Sequence, residues 1–164
     1  MELLDNWTKI KILFRESFWS SFHYAIATVN EYGEPHVTPI GSLMLGKPGH
    51  GYYFEVFPEK LPRYLSSNNH VCVMAVNSGR WFWITSLFRG QFSSPPAVRL
   101  HGTVGQLREA TQTEINFWQN RVKRLRLSKG HSLMWANMKM VRDINFNRFE
   151  PVNMGEMTRN SWNR

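Results

Sequence analysis

The sequence predicts a mainly β, α+β fold, a small antiparallel barrel of six strands with flanking helices. Three observations carry this. Short apolar segments alternate with glycine- and proline-bearing turns across residues 22–108. A last alternating segment runs over 141–152, and helical periodicity is confined mainly to 1–20 and 111–129. The pattern suits a small barrel better than a doubly wound sheet.

Leu3, Trp7, Ile10 and Phe14 recur at helical spacing while Lys9, Lys11 and Arg15 point elsewhere. This is an amphipathic first helix, suited to packing on a core or on a partner subunit. Residues 24–30 read as a strand, and Glu31-Tyr32-Gly33-Glu34 supplies the turn. Residues 35–45 form the returning strand, and Lys47-Pro48-Gly49-His50-Gly51 turns the chain into an aromatic strand over 52–57. A short helix follows, with Pro62 in its first turn, where a missing N–H costs nothing. Leu61 and Leu65 face inward, Asn68-Asn69 ends the helix, and 70–77 is the most apolar strand.

Residues 78–96 read as an elaborated connection between strands, whose aromatics need burial or a ligand. The strand resumes over 97–107, with Gly102 and Gly105 as bend or bulge positions. Thr111-x-x-Glu114 is a capping box, and Ile115, Trp118, Val122 and Leu125 form one apolar stripe behind it. Ser128-Lys129-Gly130 stops that helix. No repeat or composition shift divides the chain, so one domain over 1–164 is expected.

Composition narrows the function classes. The 164 residues are 42% hydrophobic and 14% aromatic, enough for a core and too rich in Trp and Phe for a disordered chain. The net charge is +8, with 5 basic against 7 acidic residues in 1–60 and 15 against 5 in 61–164. Such a balance attracts anions of several kinds. A single cysteine, Cys72, excludes an internal disulfide framework, and its apolar surroundings suggest a buried small hydrophobe. The six histidines form no i,i+4 pair, which argues against a protein-built zinc site. With no signal-peptide core and no apolar span, a soluble cytoplasmic protein without membrane association is expected.

Several cations are candidate anion ligands. Lys60 and Arg63 share one face at the start of the short helix, where the dipole also favours an anion. Arg80 and Trp81 pair a bidentate fork with a stacking surface, Arg99 alternates away from Val98 and Leu100, and Thr38 and Ser42 share a strand face. Each also has a plain structural use, as a solvated face or as packing. Arg121, Lys123, Arg124 and Arg126 read as the solvated exterior of the capped helix and absorb half of the net charge.

Three stretches in order carry a resemblance. They are Ala27-Thr28-Val29-Asn30-Glu31-Tyr32-Gly33-Glu34-Pro35-His36-Val37-Thr38-Pro39-Ile40, Tyr53-Phe54 with Glu59-Lys60-Leu61-Pro62-Arg63, and Ala97-Val98-Arg99-Leu100-His101-Gly102. Together they resemble the pyridoxamine 5′-phosphate oxidase-like family, the FMN-binding split β-barrels. The resemblance implies a homodimer with FMN at the subunit interface, the flavin ring along the second and third strands and its phosphate near the helix start. Together with the residues singled out above for their own chemistry, it leaves Thr38, Ile40, Ser42, Lys60, Arg63, Arg80, Trp81 and Arg99 as the candidate cofactor-binding residues, and it assigns no catalytic side chain. The chain departs from the family pattern at Thr38 and Leu61, where a cation is usual, at Glu55, where Thr is usual, and at Ala97, where Gln is usual.

The expected activity is an FMN-dependent hydride transfer to or from a small organic substrate. The alternative is a non-catalytic binder of a flavin, a deazaflavin or a haem-like ligand. A nucleic-acid-binding barrel fits less well, because the basic residues gather on one helix and do not interleave with aromatics along a strand face.

Overall fold

In the computed structural model, which describes residues 2–56, 59–134, 138–159 and 161–162, the first stripe forms helix α1 (Trp7–Ser21). Trp7, Ile10 and Phe14 are buried along it, with Leu3 packed just ahead. The helix ends on Phe22, which is left-handed at φ 60° and donates its N–H to the Phe18 carbonyl at 2.6 Å. Strands β1 (Tyr24–Val29) and β2 (Pro35–Ile40) then form the expected hairpin, from Tyr24 opposite Ile40 to Val29 opposite Pro35. Asn30 Oδ1 accepts from the Tyr32 and Glu34 N–H groups and holds the turn, in which Gly33 takes φ 82°.

The returning strand differs from the expected 35–45. It stops at Ile40, and its continuation β3 (Met44–Leu45) pairs with β4 (His50–Phe54) instead of β1. The chain turns away at Gly41, where a Cβ would lie 2.9 Å from the Phe22 carbonyl. The two halves therefore occupy opposite edges of one seven-stranded antiparallel sheet, in the order β2-β1-β5-β6-β7-β4-β3. The six expected strands become seven because one is broken, and the sheet is a split barrel left open at that break. Ser42 holds the connector in place: its hydroxyl donates to the Phe54 carbonyl at 2.9 Å and accepts from the Phe54 N–H at 3.1 Å.

Helix α2 (Lys60–Ser67) buries Leu61 and Leu65, as its spacing predicts. Phe57, the expected end of the preceding strand, lies outside the described residues. Strand β5 (His70–Val76) sits between β1 and β6 (Ala97–Glu109). Between them the expected irregular connection contains a helix, α3 (Arg80–Arg89), capped by left-handed Gly90. Its Phe82 stacks on buried Phe92, and its Trp83 indole donates to the Asn77 carbonyl at 2.6 Å.

Along β6 the register against β7 (Met140–Pro151) shifts at His101/Gly102 and between Val104 and Leu107. These are the two expected glycine bends. Gly102 is required, because a Cβ there would lie 2.2 Å from the Asn145 carbonyl oxygen. Helix α4 (Gln112–Val122) begins with the capping box formed, since the Thr111 N–H donates to Glu114 Oε2 at 2.8 Å. It is shorter than expected. A 3-10 turn (Lys123–Leu125) follows Val122, and Gly130 lies inside a further short helix, α5 (Lys129–Met134), instead of terminating α4.

The core lies between the inner sheet face and the helices, with Phe18, Ile26, Val73, Leu100, Trp118 and Ile144 fully buried. The opposite face is half-exposed. Val37, Ala27, Cys72, His101 and Arg148 form one cross-strand row there, and Met74, Arg99 and Glu150 form the next.

Candidate functional site

The break in the second strand opens a cleft of about 370 Å³ between residues 38–42 and 54–56. Its walls are mainly apolar: Phe22, Pro39, Ile40, Phe54, Val56 and Met138. The left-handed turn at Phe22 and the close approach of Gly41 bring the end of α1 against the end of β2. Thr38 and His23 supply polar side chains at this surface. His23 Nδ1 lies 2.8 Å from the Ser21 carbonyl, which can only accept, so Nδ1 carries the proton and Nε2 is left open.

Three of the eight sequence candidates, Thr38, Ile40 and Ser42, line this cleft. The break leaves Thr38 on β2 and Ser42 in the connector before β3, so they do not share one strand face as expected. Ile40 is buried and forms wall. Ser42 is also buried, and its hydroxyl is committed to the Phe54 backbone and does not offer itself to a ligand.

The other five do not line the cleft. Lys60 and Arg63 are exposed at the start of α2, four and seven residues beyond Val56 of the cleft. Arg63 makes only a loose pair with Glu31, at 3.9 Å. Arg80 and Trp81 stand in the first turn of α3, with Trp81 78% exposed. Arg99 is bound to Glu150 at 2.9 Å on the outer sheet face.

Arg121 is a correction. It does not belong to the solvated exterior of α4 but turns inward, three residues from buried Trp118 on the same helix. It donates to the Leu43 carbonyl at 2.8 Å and to the Tyr24 hydroxyl, with its guanidinium 4.1 Å from the Phe18 ring centroid. Burial pushes the Tyr24 phenol up, and Arg121 opposes that shift.

Cys72 is half-buried on the outer face, 4.0 Å from His101 Nε2, and burial raises its thiol pKa, which favours the unreactive form. Among the described residues no group of three or more His, Cys, Asp or Glu is arranged to hold a metal ion. No helix among them is long and apolar enough to cross a membrane.

The cleft at the strand break is walled mainly by apolar side chains. Among the described residues no Lys or Arg lines it, so a phosphate would have to reach cations beyond it, such as Lys60 and Arg63 at the start of α2 or Lys139 beside Met138. The open seven-stranded antiparallel sheet with its flanking helices defines the class of split β-barrels. The chain belongs to the pyridoxamine 5′-phosphate oxidase family, whose model matches residues 15–153.

Solved structures share the fold at low identity. HupZ of Group A Streptococcus is 15% identical, with 90% of this chain and 94% of that one covered and a TM-score of 0.59. An FMN-binding protein of Syntrophomonas wolfei is 12% identical, with coverage of 92% and 95% and a TM-score of 0.57. HutZ, a haem storage protein of Vibrio cholerae, is 13% identical, with coverage of 92% and 95% and a TM-score of 0.50. No curated protein matches the sequence.

Proposed function

We propose that this protein is a homodimeric flavoprotein that binds FMN and transfers a hydride to or from a small organic substrate. The observation that carries this reading is the apolar cleft at the strand break. It coincides with the region where the family resemblance sets the flavin ring, and its volume lies in the range of small-molecule sites. Pro39, Ile40 and Phe54 would shield the ring from water, and the Thr38 hydroxyl would meet its polar edge. Lys60 and Arg63 would neutralise the phosphate, aided by the N-terminal dipole of α2.

Bound FMN supplies the hydride chemistry, so the chain's own part is to bind, orient and exclude water. His23, at the mouth of the cleft, can hold a proton on Nδ1 against the Ser21 carbonyl. The half-exposed outer face, whose rows include Ala27, Cys72 and Met74, would pair with the second copy. Arg99 and its Glu150 partner would then sit at that interface.

One observation favours a second reading, a haem-like ligand in the same cleft. His23 has its Nδ1 held by a backbone carbonyl and its Nε2 open, the arrangement of a metal-binding imidazole, and Met134 and Met138 line the same walls. Absorbance of the purified protein separates the two. Paired flavin bands, or quenching of added FMN fluorescence, are expected. A colourless protein that leaves FMN fluorescence unchanged overturns the flavin reading. A Soret shift on adding haemin that disappears in His23→Ala selects the second.

A further inference from the structure

A second pocket, of about 350 Å³, lies between α1, α4 and β3 and shares no lining residue with the cleft at the strand break. Three cations line it: Lys11 and Arg15 from α1, and Arg121 from α4. Thr8, Lys11 and Arg15 are spaced to share one face of α1, so that face is turned toward Arg121. No carboxylate lines this pocket, and none of the three cations makes an ion pair among the described residues.

Arg121 is the unusual member. A half-buried guanidinium is ordinarily matched by a carboxylate, because desolvating an unpaired charge is costly. Here every partner is neutral: the Leu43 carbonyl, the Met44 sulfur at 3.0 Å, the Tyr24 hydroxyl and the Phe18 ring. The Tyr24 hydroxyl is itself committed, donating to the Phe14 carbonyl at 2.8 Å, so this network holds the guanidinium rigidly. Three of the five guanidinium N–H donors are used, and two remain. Apart from Thr8 and Tyr24 the rest of the lining is apolar, including Ile12, Phe14, Met44 and Leu45.

We propose that this pocket is an anion-binding site, separate from the cleft at the strand break. It takes a small molecule with an oxyanion head, phosphate or carboxylate, and an apolar body. A fixed guanidinium with two open donors grips the head, Lys11 and Arg15 add charge from the rim, and the aliphatic walls receive the body. The pocket volume suits a small molecule and is too little for a macromolecular surface.

Titration calorimetry with phenyl phosphate as probe tests this, alongside inorganic phosphate and benzoate. Saturable one-site binding of phenyl phosphate is expected, tighter than that of inorganic phosphate, with amide shifts in NMR confined to α1, residues 43–45 and Arg121. Lys11→Gln with Arg15→Gln leaves the Arg121 network intact and removes two exposed cations, so the fold survives. Binding should weaken about tenfold or more. Lys123→Gln with Arg124→Gln removes the same charge from the outside of the 3-10 turn and should change binding less than about twofold. Equal weakening by both pairs, or no saturation with phenyl phosphate and benzoate, overturns the proposal. Sedimentation with phosphatidylglycerol vesicles, without binding of either soluble probe, would mean a lipid surface and overturn it too. FMN fluorescence in the Lys11/Arg15 variant reports separately on the cleft.

Discussion

Glu55 and Arg142 are bound to each other across β4 and β7, with Arg142 Nε donating to Glu55 Oε2 at 2.7 Å. Their side chains are only 8% and 14% exposed, so the pair is held away from water. The Tyr53 hydroxyl also donates to Glu55, at 3.2 Å, and burial together with this carboxylate pushes the Tyr53 phenol upward. The departure from the family pattern at Glu55 thus answers a cation on the last strand. Removing one partner strands the other charge. Glu55→Ala should therefore cost about 3–5 kcal/mol in urea denaturation. Glu55→Leu combined with Arg142→Met should recover most of that loss. Equal destabilisation of the single and double variants would show that the ion pair is not the cause.

Ser42 joins the two halves of the broken strand to the rest of the sheet. Its hydroxyl satisfies both the N–H and the carbonyl of Phe54, the work a paired strand residue would do. Ser42→Ala leaves both backbone groups buried without that partner, and a loss of about 1–3 kcal/mol is expected. Ser42→Thr keeps the hydroxyl and should lose less. If FMN affinity falls in Ser42→Ala while the urea midpoint stays put, the hydroxyl serves the ligand and not the seam.

Glu114 should make the protein acid-sensitive. Two hydrogen bonds from Arg108, at 2.7 and 2.9 Å, hold its carboxyl at about 2, well below the ordinary 4.5, against an opposing push from burial. A carboxyl depressed in the folded state contributes stability that is complete above its unfolded pKa and lost as pH falls through the folded one. Wild-type protein should thus lose this contribution between about pH 4.5 and about pH 2. Thermal midpoints across that range should fall more steeply than those of Glu114→Gln. Parallel curves for the two proteins would rule the contribution out.

The elements legible in the sequence are those with one dominant period. The α1 stripe, the β1–β2 hairpin and the capping box of α4 each follow from local spacing, and each forms. Helix α3 was hidden because its aromatics encircle it, with Trp81 and Phe88 exposed while Phe82 and Trp83 pack on Phe92. No single stripe was there to read. The break at Gly41 was equally silent, since alternation continues through residues that change partners. Residue type alone sets Arg121 on a solvated face, whereas its i,i+3 relation to buried Trp118 sets it beside the apolar stripe. His23 carried no sequence signal, since its part in the cleft depends on the left-handed turn at Phe22.

Ring and phosphate can be separated by substitution. If the ring occupies the cleft and the phosphate reaches the start of α2, the two ends respond to different substitutions. Lys60→Gln with Arg63→Gln should weaken FMN about tenfold, because it removes the two cations at the start of α2, while riboflavin, which has no phosphate, should bind as before. Thr38→Trp fills the cleft from the half-buried face of β2 and should abolish binding of both. Fluorescence quenching titrations of FMN and riboflavin against the three proteins read this directly. A Lys60/Arg63 variant that loses riboflavin as strongly as FMN would mean that α2 supports the ring site itself. The phosphate would then have to be held elsewhere, with Arg99 on the outer sheet face as the next cation to test.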